Sequence, residues 1–253
     1  MIPHTFIQSW HKTAPWADSR QVEQDLIICR ALCDLFNSSR LSGKIAFRGG
    51  TAINKLLFQK PLRYSEDIDL VQTQAEPIGD TIDAIRDALS WLGDFQRKPA
   101  SHSMHLFYKF NPEVAPETTL KMKIEINTRE HKNKFPLKKY PFEINNSWYS
   151  AKVDIVSFEP EELFGTKLRA LLQRRKNRDL FDLNEGLKHL ALDHDKLIAC
   201  FDHYLRLQEQ TITGAVAEQR MLEKLPHSLT EDVLPLLPAG IRLPITRRWL
   251  PSA

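Results

Sequence analysis

Two short segments constrain this chain more than any other feature. Phe47-Arg48-Gly49-Gly50-Thr51 ends an apolar run in a glycine pair, and Asp67-Ile68-Asp69-Leu70 then sets two acids in a strand-like apolar frame. Side chains alternate along a strand, so Asp67 and Asp69 share one face and Ile68 and Leu70 the other. Neighbouring carboxylates repel unless a positive charge sits between them. A divalent metal, Mg²⁺ or Mn²⁺, held together with a nucleotide's phosphates meets that need.

A phosphoryl-transfer site requires acidic ligands, a phosphate cradle and cations for the triphosphate. Gly49 and Gly50 let backbone N–H groups approach a phosphate closely, and Thr51 is placed to cap a helix whose N-terminus favours anions. Leu120 to Asn127 alternates as a strand. Its apolar face is Leu120, Met122, Ile124 and Ile126; its polar face is Lys121, Lys123, Glu125 and Asn127. Glu125 is thereby the candidate third carboxylate, and Asp67, Asp69 and Glu125 are the expected metal set. A glycine pair or a DxD alone is common in turns and exposed strands. Their succession with a later acid-bearing strand points to a nucleotidyltransferase.

Of the 253 residues, 26% are charged and 42% hydrophobic, and the formal net charge is +3. That composition suits a globular protein of one large or two small domains. No apolar run reaches the roughly 20 residues that span a bilayer, and the N-terminus lacks a signal-peptide pattern. The expectation is a cytoplasmic protein with no membrane partner. Cys29, Cys33 and Cys200 form no CxxC and read as buried thiols of a reducing compartment. His102 and His105 lack a second ligand pair for zinc. Basic clusters at His131-Lys132-Asn133-Lys134 with Lys138-Lys139, and at Arg174-Arg175-Lys176 with Arg178, suit a phosphate-rich partner.

Periodicity predicts helices over 21–41, 51–57 and 77–92, and strands over 44–48, 68–71, 105–110, 120–127 and 153–158. After Pro160 only helices are expected: 161–175, 179–190, 194–207 and 213–225. A Pro-rich tail from Pro226 reads as extended and docked through its apolar residues. The layout is an α+β fold with a mixed sheet over residues 1–158, then a helical domain and tail over 159–253.

Arg48-Gly49-Gly50-Thr51-Ala52-Ile53 with Arg63-Tyr64-Ser65-Glu66-Asp67-Ile68-Asp69-Leu70 resembles the AbiEii/AbiGii toxin family of nucleotidyltransferases. So does Lys167-Leu168-Arg169-Ala170-Leu171-Leu172 with Arg178-Asp179-Leu180-Phe181-Asp182-Leu183. The resemblance covers roughly residues 20–190. It implies a DNA polymerase β-like fold and a toxin of a toxin–antitoxin or phage-defence pair, whose partner gene encodes a transcriptional regulator. Some members add nucleotides to tRNA 3′ ends and stop translation. By the same resemblance Asp67 and Asp69 match metal-binding acids, Gly49, Gly50 and Ser65 the phosphate-contacting turn, Lys167 a triphosphate-neutralising lysine, and Asp179 the acid of the RD pair.

Three residues carry competing readings. Arg63 contacts phosphate or pairs with Glu66 in a turn. Lys55 is a phosphate ligand or a surface lysine. Arg178 serves the nucleotide or bridges Asp179 or Asp182. The main expectation is an NTP-dependent transferase acting on RNA, with tRNA as acceptor. The alternatives are a nucleotide-binding interaction protein without turnover, and a small-molecule nucleotidyltransferase.

Overall fold

The computed structural model of the chain describes residues 2–174, 177–223 and 232–241. Helix α1 (His4–Trp10) leads into α2 (Ser19–Asn37), the longest described helix. Asp18 caps α2 by accepting a hydrogen bond from the Arg20 N–H. Strand β1 (Ile45–Arg48) runs into a single helical turn, α3 (Gly49–Ala52), which continues as a wider turn over Ile53–Leu57. β2 (Asp67–Gln72) and α4 (Gly79–Ala88) follow, then β3 (Phe95–Pro99), β4 (Ser103–Phe110), β5 (Leu120–Asn127), β6 (Lys138–Asn146) and β7 (Tyr149–Ser157). Four α-helices follow, α5 (Pro160–Gln173), α6 (Arg178–His189), α7 (His194–Arg206) and α8 (Gly214–Leu222), and a 3₁₀ turn at Leu234–Leu236 comes after them.

The seven strands form one mixed sheet in the order β3-β4-β5-β2-β1-β7-β6. β2 lies parallel to β5 and β1 parallel to β7; the other neighbours are antiparallel. One face of the central strands buries Ile68, Leu70, Ile124 and Ile126, each at most 1% exposed. α2 packs on that apolar side, with contacts to β5, β6 and β7. Each such aliphatic side chain contributes about 1.5–3 kcal/mol by leaving water.

The helices after Ser157 share much of the core of the sheet, and a small second cluster of Leu172, Phe201 and Leu205 lies among them. Leu163, Phe164, Leu171, Leu183 and Leu197 belong to the same buried cluster as Phe47 and Ile68. α5 is the hub, packed against α6, α7 and α8. Its first turn carries Pro160, Glu161 and Glu162, which suits the positive end of the helix dipole.

Several elements differ from the sequence pattern. α1, β3 and β6 were not expected, and β7 starts four residues before the expected strand at 153. Thr51 does not cap a helix. It lies inside the first turn, 1% exposed, and its hydroxyl meets the Ser65 hydroxyl at 2.6 Å and donates to the Asp67 carbonyl. The expected helix over 77–92 ends at Ala88, followed by a 3₁₀ turn at Ser90–Leu92. Most of the Pro-rich tail lies outside the described residues. Its described part, 232–241, does dock: Tyr64 N–H donates to the Leu236 carbonyl at 2.6 Å, Ala239 N–H to the Pro15 carbonyl at 2.9 Å, and Val233 is fully buried. The three cysteines are free and buried. No described helix is long and apolar enough to cross a membrane.

Candidate active site

The parallel pairing of β2 with β5 sets Asp67 beside Lys123 and Asp69 beside Glu125. Alternation turns all four side chains to the face opposite the apolar core. A cleft of about 210 Å³ opens there, lined by Asp67, Asp69 and Glu125 together with Gly49, Gly50, Ser65, Lys167, Arg174 and Arg178.

The glycines make room for this cluster. Gly49 has φ +83°, and a Cβ there would lie 2.0 Å from Asp69 Oδ2. Any other residue would be strained in the backbone and would collide with the carboxylate. A Cβ on Gly50 would lie 2.5 Å from Arg63 Nη2, whose guanidinium is fixed by an ion pair.

That ion pair belongs to a buried network. Arg63 Nε and Nη2 each donate to Asp182 at 2.7 Å in a bidentate fork. Lys167 Nζ reaches Asp182 Oδ2 and Asp179 Oδ1, both at 3.0 Å. Arg174 completes the set with Nε–Oδ2 at 2.7 Å and Nη2–Oδ1 at 2.9 Å on Asp179. Asp179 and Asp182 are fully buried. Burial alone would raise the Asp179 pKa, but the Arg174 hydrogen bonds and the Lys167 charge outweigh it and hold the group down at about 2. Asp182 is likewise lowered: Lys167 and Arg63 overcome its burial.

The acidic strand face behaves differently. Burial, then the charges of Asp67 and Glu125, push the Asp69 carboxyl up. Glu125 is lowered: its burial is outweighed by Lys123, whose ammonium lies 3.1 Å from it, with His105 Nε2 at 3.4 Å. Lys123 is also 3.1 Å from Asp67 Oδ2. Among the described residues no three His, Cys, Asp or Glu side chains are grouped as a ready metal set. The expected triad of Asp67, Asp69 and Glu125 is interrupted by the Lys123 ammonium between Asp67 and Glu125. Asp67 and Asp69 fit a hard divalent cation: both offer oxygen donors, and the Asp69 carboxyl, raised by burial and then by its negative neighbours, is one that a cation relieves.

The sequence matches the family described as nucleotidyl transferase AbiEii toxin, of type IV toxin–antitoxin systems, over residues 30–247. The chain belongs to the AbiEii family. It is therefore a nucleotidyltransferase of the toxin type. MenT4, a nucleotidyltransferase toxin from Mycobacterium tuberculosis H37Rv, shares the fold with TM-score 0.58 at 14% identity, over 79% of this chain and 69% of that one. JHP933 from Helicobacter pylori aligns with TM-score 0.49 at 19% identity, over 85% of this chain and 98% of that one. No curated protein matches the chain in sequence.

Within this AbiEii chain the expected site residues separate into two groups. Asp67, Asp69, Glu125, Gly49, Gly50, Ser65, Lys167 and Arg178 line one cleft, and Asp179 sits behind it, holding Lys167 and Arg174. Thr51 supports the turn beneath through Ser65. Arg63 lines the cleft but is committed to Asp182, not to Glu66. Lys55 is not among the cleft residues. It is neither a phosphate ligand in this arrangement nor a surface lysine, because Asp25 of α2 holds its ammonium at 2.6 Å. Arg174, not Arg178, bridges Asp179.

Lys123 and Arg48 are among the cleft residues that had no role in the sequence reading. Lys123 was readable in principle, since strand alternation already sets it on the face of Glu125. Arg48 pairs with Glu130, which Arg169 also holds at 2.6 Å, and no local pattern announces that contact.

Proposed function

We propose that this protein transfers a nucleoside monophosphate from an NTP to the 3′ end of an RNA, with tRNA as the acceptor, and so blocks translation. The acceptor hydroxyl oxygen bonds to the α-phosphorus, the α–β bridging P–O bond breaks, pyrophosphate leaves and the hydroxyl proton passes to solvent. The observation that carries the reading is the β2–β5 register, which aligns Asp67, Asp69 and Glu125 along a cleft also lined by Lys167, Arg174 and Arg178. Asp67 and Asp69 would hold a divalent ion, Mg²⁺ or Mn²⁺, which supplies charge stabilisation for the transferring phosphoryl group. Arg174 and Arg178 neutralise the outer phosphates. Lys167, fixed by Asp179 and Asp182, adds a third positive charge at a preset position. Gly49, Gly50 and Ser65 form the floor under the phosphates.

On this reading residues 1–158 are the transferase core, and residues 159–253 supply the helices that carry Lys167 and Asp179. The protein works in the cytoplasm, beside an antitoxin that regulates transcription, in a phage-defence setting. A second reading, nucleotide binding without turnover, is favoured by one observation: Lys123 already neutralises Asp67 and Glu125.

Incubation of the protein with each labelled NTP, Mg²⁺ and total tRNA decides between them. Label appearing at tRNA 3′ ends, and lost with Asp67→Ala or Asp69→Ala, supports transfer. Saturable NTP binding with no labelled RNA supports the second reading.

A further inference from the structure

Beside the cleft lies a far larger groove, about 1380 Å³ in volume. Pockets for single small ligands span roughly 300–1,000 Å³, so the groove exceeds the need of one nucleotide or metabolite. The two spaces adjoin: Arg174 lines both. Glu130 lines the groove, while its partners Arg48 and Arg169 line the cleft, so one buried ion-pair cluster forms the partition.

The groove's chemistry suits a polyanion. Exposed Arg129 follows β5 and Arg220 stands on α8, while Arg174, which closes α5, is already paired with Asp179. The Glu130 charge is already met by two arginines, and Glu223 is the other acid of the lining. Among the exposed lining residues Gln173 Nε2 donates to Gln208 Oε1 at 3.1 Å and to Gln210 Oε1 at 2.7 Å. Side-chain amides both donate and accept, which matches the exposed edges of unstacked bases.

We propose that this groove holds the single-stranded 3′-terminal segment of the RNA acceptor. Arg129 and Arg220 contact its backbone, the glutamines meet its bases, and its terminal hydroxyl is presented past Arg174 to the nucleotide. The proposal rests on the transferase reading of the cleft. It implies a polymeric acceptor, because a small-molecule acceptor leaves most of the groove unused.

The test uses the full chain and a short, 5′-labelled single-stranded RNA, with binding followed by fluorescence anisotropy across a salt series. Arg129→Glu with Arg220→Glu should raise the RNA Kd at least about tenfold. The plot of log affinity against log salt should become shallower by about 1.4, at about 0.7 per lost phosphate contact. NTP affinity, measured by calorimetry, should be unchanged. Arg129→Glu alone, at an exposed position, keeps the test valid if the Arg220 change disturbs α8 through its bond to the Leu172 carbonyl. Gln208→Ala with Gln210→Ala should weaken RNA binding and leave the salt slope alone. Unchanged RNA affinity in all variants, from a parent that labels RNA, overturns the groove and leaves the transferase reading standing. A parent that labels no RNA overturns both.

Discussion

The ammonium of Lys123 stands 3.1 Å from the carboxylate of Asp67, across the parallel pairing of β5 with β2. It is equally close to Glu125 on its own strand. Burial works against the Lys123 charge, but the surrounding acids outweigh it and raise its pKa. The strand face thus carries its own counter-ion, and a metal entering there must share the carboxylates with it.

Lys123→Met should therefore raise the affinity of the nucleotide-free protein for Mn²⁺ by at least about tenfold, since a fixed positive charge beside the ion is removed. Titration calorimetry measures this directly. An unchanged or weaker affinity would show that Asp67 and Glu125 do not contribute to the metal site.

Asp69→Asn should abolish transfer and at the same time stabilise the metal-free fold. The Asp69 pKa is raised, by burial first and then by Asp67 and Glu125. A raised carboxyl binds protons more tightly when folded, so it costs stability, and the cost grows as pH climbs above the ordinary carboxyl value and is complete only above the folded pKa. Thermal melts at pH 7 in EDTA should show a higher Tm for the variant. A lower Tm contradicts the crowding of charge described for this face.

Asp182→Ala should destabilise the protein by about 3–5 kcal/mol, because it leaves the Arg63 guanidinium buried without its partner. Lys167→Ala should also destabilise by an amount measurable in urea, since it uncovers two fully buried carboxylates. Loss of nucleotide affinity without loss of stability in the Lys167 variant would remove it from the network.

Acid should unfold the protein through Glu130 and Asp179. Burial raises both, but Arg48 and Arg169 on Glu130, and Arg174 and Lys167 on Asp179, hold each at about 2. Their folded values lie below ordinary carboxyl values. The stability they add is complete above those ordinary values, about 4, and is lost as pH falls towards 2. Urea midpoints followed by circular dichroism from pH 7 to pH 2 should drop mainly below pH 4. Glu130→Gln should start lower and fall less steeply.

Gly49→Ala should cost about 1–3 kcal/mol for its left-handed backbone alone, and should displace Asp69, which a Cβ would approach to 2.0 Å. Denaturation together with Mn²⁺ titration checks both effects. A variant with normal metal affinity would mean that the carboxylate can move aside.

The central strands were legible because their two faces differ sharply: Ile68 and Leu70, or Ile124 and Ile126, alternate with charged residues. The edge strands were not. β3 offers Gln96, Arg97 and Lys98, and β6 contains Pro141 and has mostly exposed or half-buried side chains, so neither shows an apolar stripe. Polar and Pro-bearing segments are what sheet edges tolerate. The acids of the site were readable for the same reason as their strands. The cations were harder, because their partners are remote. Lys55 looks like a helix-surface lysine until Asp25, 30 residues away, is brought beside it. Arg63 looks like a turn residue until Asp182 arrives.

Arg63 and Asp182 are separated by 119 residues of sequence. Ribosomes extend a chain at about 5–20 residues per second, so Arg63 emerges many seconds before its partner. Until α6 has left the exit tunnel, Lys167 and Arg63 have no Asp182 to hold them, and these two cleft cations are not set in place. A nascent chain is thus without a finished cleft until α6 has been made and has left the ribosome, and the order of synthesis itself delays the toxin's assembly.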